Sequence, residues 1–343
     1  MSAEQNTMTA ENAQEAPRVS AGVTFLVRLF GWTVLGALAA YLANNYLTYW
    51  MQWPGPGAVL GIGGKQETSY LSWLQLSLYA FFFVQALIYV RATSRLTLRE
   101  DCARVSALNT FLIRAAFFAV LYIGVVDAVL SFMRVEGLLP VFFGDHYALE
   151  LGRSQFRGPW VHMPLSALAI VTAIFSRTLG FTWLALLIVV AELGIVITRF
   201  IFSYEQGFMG DLVRFWYAAL FLFASAYTLI EEGHVRVDVF YSAFSAKRRG
   251  LVNAMGSMIL GMTLCWIILT VGMGGANSVI NAPLLNWETT QTGFSMYVKY
   301  MMAGFLAVFA ISMMIQFVSY MMESVADVRG EPGGRDHSSH SVA

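Results

Sequence analysis

The sequence predicts an all-α fold, a polytopic bundle of about eight membrane-spanning helices. Hydrophobic residues make up 57% of the 343-residue chain and charged residues only 12%, whereas soluble domains carry about 25% charged residues. The apolar residues stand in long runs, most of them close to the roughly 20 residues that a helix needs to cross the hydrocarbon core. Such runs are not the short alternating segments of a membrane β-barrel. The formal net charge of zero argues against nucleic acid as a partner.

Eight apolar runs qualify as spans. They cover residues 21–48, 69–90, 106–133, 159–176, 180–203, 210–231, 251–275 and 297–323. The fourth run is the weakest, because it is short and only a tight turn at 178–180 separates it from the fifth. A seven-span arrangement, with the fourth run lying in the membrane interface, is the alternative.

The basic connecting segments decide the orientation. Residues 231–250 contain the cluster Lys247, Arg248 and Arg249 between two apolar runs. A segment this polar cannot cross hydrocarbon, and loops rich in Lys and Arg stay on the cytoplasmic side. With eight spans, this loop and the arginine-rich segment 91–104 both lie inside, and both termini are cytoplasmic. Seven spans would place one of the two basic segments outside, so eight spans are favoured.

The two ends are polar. Residues 1–20 and 326–343 are predicted to be disordered cytoplasmic tails, and the first lacks the basic region of a cleavable signal peptide. Cys102 and Cys265 fit no metal or redox spacing, so we expect two buried or inert thiols rather than a disulfide.

Ionisable residues inside membrane spans are costly and are therefore the candidates for function. The clearest are Arg114, Asp127, Glu192, Arg199, Asp211 and Arg214. Glu192 and Arg199 lie two turns apart on one helical face, and Asp211 and Arg214 are neighbours three residues apart. One interpretation is a relay for protons or ions. The favoured one is pairing within the bundle or anchoring to a partner helix, because acids and bases occur in matching numbers.

Signatures of catalysis are missing from the sequence. It contains no HExxH, GxSxG, P-loop or CxxC pattern, and the glycines at 61–65 lack the spacing of a phosphate-binding loop. The histidines are scattered, so no metal or cofactor site is predicted. A parallel four-plus-four duplication stays open, because both halves carry a basic loop between their second and third spans.

The run GDLVRFWYAALFLFASAYTLIEEGHVRVDVFYSAFSAKRRGLVNAMGS resembles the core of the small membrane subunit of TRAP transporters, the DctQ-type family. Its most specific part is HVRVD at 234–238, followed by a basic AKRR sequence, and the preceding span ends in Arg199 and Phe200. The resemblance covers roughly residues 178–325, a four-span core. It implies that His234, Arg236 and Asp238 shape a cytoplasmic loop, with Arg199 and Arg214 near the periplasmic end.

The resemblance further implies a non-catalytic scaffold subunit in the bacterial inner membrane. In such tripartite, sodium-driven systems a periplasmic solute-binding protein (DctP-type) delivers an organic acid or related solute to a large permease (DctM-type) that works as an elevator. Besides these proteins, membrane phospholipids are expected contacts of the basic loops. Residues 21–177 depart from the family pattern, because they add about four spans before the core. The alternative is a stand-alone secondary carrier using Arg114, Asp127 and Glu192.

Overall fold

The structure, a computed structural model, describes residues 21–61, 68–177, 180–204, 207–230, 241, 243–290 and 295–334. Over these residues the chain is all-helical, with no β-strand. Eight helices are long and apolar enough to cross a membrane: α1 Ala21–Tyr49, α2 Tyr70–Ala92, α3 Leu98–Val135, α4 Ser154–Phe175, α5 Phe181–Phe202, α6 Gly207–Ile230, α7 Ala246–Met273 and α8 Lys299–Val328. The predicted fold class and the count of eight are confirmed, and the seven-span alternative is not.

Four helices begin earlier than predicted, and two of them, α3 and α7, begin inside the basic segments. α3 starts at Leu98 instead of residue 106, because Thr97 and Glu100 form a capping box: the Thr97 hydroxyl accepts the Glu100 N–H at 3.2 Å, and the Glu100 carboxylate accepts the Thr97 N–H at 2.7 Å. α7 starts at Ala246. Part of each basic segment predicted as loop is therefore the first turns of a helix.

The connections at the other end of the bundle also contain short helices, at Gly57–Leu60, Leu139–Leu151 and Asn281–Asn286. All three lie in segments that the sequence predicted to be outer loops. Several large apolar side chains of the second are exposed, including Val141 at 77% and Phe142 at 69%.

Helices α3 and α8 form the centre of the bundle. α3 packs against α4, α6 and α8, and α8 packs against α1, α6 and α7 as well, while α2 packs on α1 and α5 on α6. One apolar core joins α3, α5 and α6 around Phe117, Phe215 and Phe223. A second joins α1, α7 and α8 around Leu38 and Leu269. The leading helices and the four-helix core predicted at 178–325 thus share packing surfaces.

Small polar side chains line the contact between α3 and α8. Asn109 donates to the Ser312 carbonyl at 3.0 Å, and the Ser106 and Ser319 hydroxyls are 2.7 Å apart. The Cys102 sulfur lies 3.0 Å from the same Ser319 hydroxyl. Close packing and interhelical hydrogen bonds of this kind hold membrane helices together where no hydrophobic force does. Both cysteines, Cys102 and Cys265, are buried as predicted, and they form no disulfide with each other.

Candidate functional site

A buried polar cluster, here called the Asp127 cluster, joins α3 and α4 to the start of α8. It consists of Asp127, Arg157, His162, Tyr297 and Tyr300. The Asp127 carboxylate accepts from Arg157 Nη1 at 2.8 Å and from the Tyr297 main-chain N–H at 2.8 Å. Both charged side chains of the ion pair are fully buried. A carboxylate this deep is stable only with such partners.

His162 extends the cluster to α8. Its Nε2 lies 3.2 Å from Asp127 Oδ1 and its Nδ1 lies 2.6 Å from the Tyr300 hydroxyl. Because an ionised carboxylate only accepts hydrogen bonds, Nε2–H donates to Asp127, and Nδ1 forms a second hydrogen bond with the Tyr300 hydroxyl. The imidazole is thus held from two helices.

A π-helical turn over Gly158–His162 places the two partners of Asp127. In a regular α-helix, residues five apart such as Arg157 and His162 point about 140° away from each other. The wider π turn, with its i→i+5 hydrogen bonds, instead lets both reach the same carboxylate. Gly158 is part of this arrangement, because a Cβ there would lie 2.1 Å from the ring of Trp287, which also packs edge-on against Tyr300.

Tyr297 lies between two guanidinium groups. The Arg134 and Arg157 Cζ atoms are 4.4 and 4.5 Å from the centre of its ring, within cation–π distance. Arg134 also donates to the Ser295 carbonyl at 2.6 Å, and the Tyr297 hydroxyl donates to the Gly152 carbonyl at 2.8 Å. These contacts fix the segment that leads into α8.

A second cluster, the Arg28 cluster, joins the other ends of α1, α2 and α3. Arg28 Nε donates to Asp101 at 2.6 Å, its Nη2 donates to the Thr93 hydroxyl at 2.6 Å, and Trp32 Nε1 donates to the same carboxylate at 3.0 Å. Tyr89 donates to the second oxygen of Asp101 at 3.3 Å. Arg28 is 1% exposed and Asp101 is not exposed at all.

The two clusters lie near opposite ends of the bundle. Asp101 and Asp127 are both on α3 and, at 1.5 Å per residue, are roughly 39 Å apart along it. That distance is close to the thickness of a bilayer with its headgroups, about 40–45 Å. Chemically, both clusters pair and orient charges. In the described ranges, no three His, Cys, Asp or Glu side chains come together as a metal site.

The charged residues predicted in the third and fifth spans do not form one site. Asp127 is the centre of its cluster, while Arg114 is half-buried and donates to the Ala173 carbonyl at 3.3 Å. Glu192 and Arg199 are exposed on α5. The interpretation that these two pair with each other is not supported, because they form no ion pair in the described part of the chain.

The pair predicted in the sixth span is present. Arg214 Nη1 lies 3.5 Å from Asp211 Oδ1, and Asp211 also accepts the Met296 main-chain N–H at 3.1 Å. Arg214 is 75% exposed. Asp211 therefore connects α6 to the same segment before α8 that Asp127 holds.

The basic cluster forms the first turn of α7. Lys247 and Arg248 are exposed, while Arg249 donates to the Phe244 carbonyl at 3.0 Å and lies 5.5 Å from the ring of Tyr241. The HVRVD motif, with His234, Arg236 and Asp238, lies outside the described residues, so its predicted role stays a prediction.

Sequence reasoning missed most partners in the two clusters. Arg28 stands in the first apolar run and His162 in the fourth, so the cost of charged or polar groups within spans was a signal for both. Arg157 and Asp101 stand in segments that were predicted to be loops, and no sequence pattern links them to their partners.

Residues 185–326 match the family described as tripartite ATP-independent periplasmic transporters, DctQ component. No curated protein and no solved structure matches the chain. The matched segment begins within α5 and ends within α8, so it covers the last four long helices. Over these residues the chain is similar to the DctQ family, the small permease of TRAP transporters, and α1 to α4 are additional helices that precede the matched segment.

Proposed function

We propose that this chain is the non-catalytic scaffold subunit of a tripartite, sodium-driven TRAP-type secondary transporter for organic acids or related solutes. In this proposal it lies in the bacterial inner membrane with both termini in the cytoplasm. It supports a large elevator-type permease (DctM-type), which receives solute from a periplasmic binding protein (DctP-type). The match of residues 185–326 to the DctQ family is the observation on which the proposal rests.

The rigid ends of the bundle suit a static role. The Arg28–Asp101 pair at 2.6 Å and the Arg157–Asp127 pair at 2.8 Å each join different helices in buried surroundings. Separating either pair would leave a buried charge without its partner, which costs about 3–5 kcal/mol. A bundle with such contacts at both ends resists the rearrangement that a carrier needs, and it offers a fixed surface for a moving neighbour.

The exposed face of α5 is the surface we propose for the large permease. Its apolar side chains include Trp183 at 65%, Val189 at 63% and Phe200 at 78% exposure, and Glu192 stands near the middle of this 22-residue helix. Charged residues in spans almost always face protein or water rather than lipid. A partner helix that provides a basic or hydrogen-bond-donating group at the depth of Glu192, and an acceptor near Arg199, would satisfy both.

The stand-alone carrier has less support. Arg114 and Asp127 are 13 residues apart on α3, roughly 20 Å along the helix axis. Glu192 faces away from the bundle, and Asp127 is enclosed by its ion pair. These three residues therefore offer no common binding site for a solute.

Co-purification tests the proposal. The tagged chain is expressed with the large permease and the binding protein of its own system, and it is expected to recover the large permease as a stable complex. Sodium-driven uptake into vesicles should require the large permease. A monodisperse preparation of this chain alone that transports solute would contradict the scaffold role and support the carrier.

A further inference from the structure

The short Leu139–Leu151 helix, which connects α3 to α4, exposes large apolar side chains along most of its length. They include Val141 at 77%, Phe142 at 69%, Tyr147 at 57% and Leu149 at 67% exposure. A break at Gly144, where φ is 76°, separates the first two from the last two. Exposed apolar surface of this kind marks contact with a membrane or with another protein, and the depth of the helix decides between the two.

Both ends of this helix are held against α3 at the same depth. Leu139 and Leu151 are buried and pack with Leu130 of α3 in one small apolar core. The Leu151 carbonyl also accepts a hydrogen bond from Arg157 Nε at 2.5 Å. The helix is therefore tied at both ends to the side of the bundle near Leu130.

The end of α5 shows how deep Leu130 lies. α5 is apolar up to its last residue, Phe202, which is 69% exposed. The Tyr204 hydroxyl just beyond it donates to the Glu136 carboxylate, directly after α3. From Glu136 back to Leu130 is roughly 9 Å along α3, toward the middle of the bundle. The Leu139–Leu151 helix is thus fixed at a depth that α5 still crosses with apolar side chains.

The residue types also fit the boundary between hydrocarbon and headgroups. The exposed aromatic side chains in this region are Phe142, Phe143, Tyr147 and, in the first turns of α4, Trp160. Aromatic side chains, Trp and Tyr above all, are enriched at this boundary. Asp145 and His146, next to the break, are exposed as well, and ionisable groups are tolerated among headgroups but are costly in hydrocarbon.

We propose that the Leu139–Leu151 helix is an interfacial helix, which inserts its apolar side chains among the phospholipids of the leaflet at this end of the bundle. Helices of this type place their apolar side chains about 5–10 Å into the boundary between headgroups and acyl chains. The partner of this surface is therefore the lipid leaflet and not a soluble protein. The inference rests on depth and apolar exposure, so it is independent of the orientation of the chain and of its role in a transporter.

Site-directed spin labelling of the full chain tests this assignment. The chain is placed in nanodiscs of phosphatidylethanolamine and phosphatidylglycerol, with a nitroxide on Phe142→Cys or Leu149→Cys. Collisions of the nitroxide with molecular oxygen, which concentrates in the bilayer, are compared with its collisions with a water-soluble nickel chelate. The oxygen-to-nickel ratio at both positions is expected to be several-fold higher than at the exposed Lys247→Cys in the first turn of α7. It should approach the ratio at Leu186→Cys in α5, where the leucine is 49% exposed.

Two further measurements complete the design. The unsubstituted chain gives the background from the buried Cys102 and Cys265. Tyr147→Cys provides a third position on the same helix if either of the first two variants fails to fold.

Three outcomes would overturn the proposal. Oxygen-to-nickel ratios on the helix as low as that at Lys247→Cys would place the helix in water. Labels that are protected from nickel only after addition of the binding protein of the same system would reassign the surface to protein docking. Slow collisions with both reagents would show that a second copy or another part of the chain covers the helix.

Discussion

Asp127 on α3 and Arg157 at the start of α4 form a fully buried ion pair with an Oδ1–Nη1 distance of 2.8 Å. Removing only the carboxylate charge leaves the guanidinium buried without its counter-charge. We expect Asp127→Asn to lower the free energy of unfolding by about 3–5 kcal/mol, measured by denaturant titration in detergent. The exposed Asp145 supplies the control, and Asp145→Asn should change stability by less than about 0.5 kcal/mol.

The same pair allows a second comparison. Because a buried ion pair can be replaced by apolar groups of similar size at little cost, the double variant Asp127→Leu with Arg157→Met should be more stable than Asp127→Asn alone. A double variant that is less stable than the single one would mean that the wider Asp127 cluster, rather than the unpaired charge, determines the loss.

Gly158 tests the close approach of Trp287 to the π-helical turn. A Cβ on Gly158 would lie 2.1 Å from the Trp287 ring, whereas Gly256 in α7 has no such atom within 4 Å. Gly158→Ala is expected to destabilise the protein by about 1–3 kcal/mol through overpacking. Gly256→Ala should be neutral or stabilising by up to about 1 kcal/mol, because alanine favours the helix. The measurement is the thermal unfolding temperature of both variants. Equal shifts of this temperature would contradict the close contact between Gly158 and Trp287.

The outward-facing charges of α5 test the proposed permease surface. Glu192→Gln or Arg199→Gln should weaken association with the large permease roughly tenfold or more, because each leaves a charge of the partner unpaired. Association is measured by co-purification at increasing detergent concentration. Glu150 and Arg153, an ion pair outside the spans at 3.2 Å, provide matched control substitutions. If the α5 variants and the two control variants associate with the large permease equally well, α5 is not the docking face, even where the complex itself forms.

The HVRVD motif gives a separate prediction about the loop before α7. We expect the double variant Arg236→Ala and Asp238→Ala to weaken association with the large permease, because the resemblance places these residues in a cytoplasmic loop beside it. Recovery of the complex and solute uptake are measured together. Unchanged values for both would reduce this loop to a simple connection between α6 and α7.

Labelling of the start of α7 tests the orientation of the chain in the membrane. Lys247→Cys should react with a membrane-impermeant thiol reagent only in inside-out vesicles, because basic segments stay in the cytoplasm. Gln155→Cys at the start of α4, at the other end of the bundle, should react only in spheroplasts. The natural cysteines Cys102 and Cys265 are buried, so the background should be low. Reaction of Lys247→Cys from the periplasmic side would reverse the proposed topology.

The sequence was sufficient to predict the eight long helices, because each membrane span has to supply its own long apolar run. The errors lie at helix ends and in the connections predicted to be loops, which contain three short helices. α3 was predicted to begin at residue 106, although Thr97 and Glu100 have the spacing of a capping box. The sequence signal was present there, but the arginines around it indicated a loop.

The buried clusters were harder to predict than the spans. Asp127 was singled out from its position in an apolar run, but its partners Arg157 and His162 come from another helix and converge only through a π-helical turn. Pairing between distant segments leaves no periodic trace in a single sequence. For Glu192 and Arg199 the local spacing suggested a pair, yet both side chains are exposed and form no ion pair with each other, because the α5 face that carries them is not covered by another helix of the described bundle.

The position of α3 has a consequence for how such a chain can be shortened. Trp216 of α6 donates from its indole nitrogen to the Val120 carbonyl at 3.2 Å and covers Gly124, where a Cβ would lie 2.2 Å from that nitrogen. A protein starting at residue 178 would uncover this indole and the flank of α8 beside it. The leading helices are therefore not a detachable module of this bundle, and a version of this chain without them would need lipid or another subunit to protect the same flank.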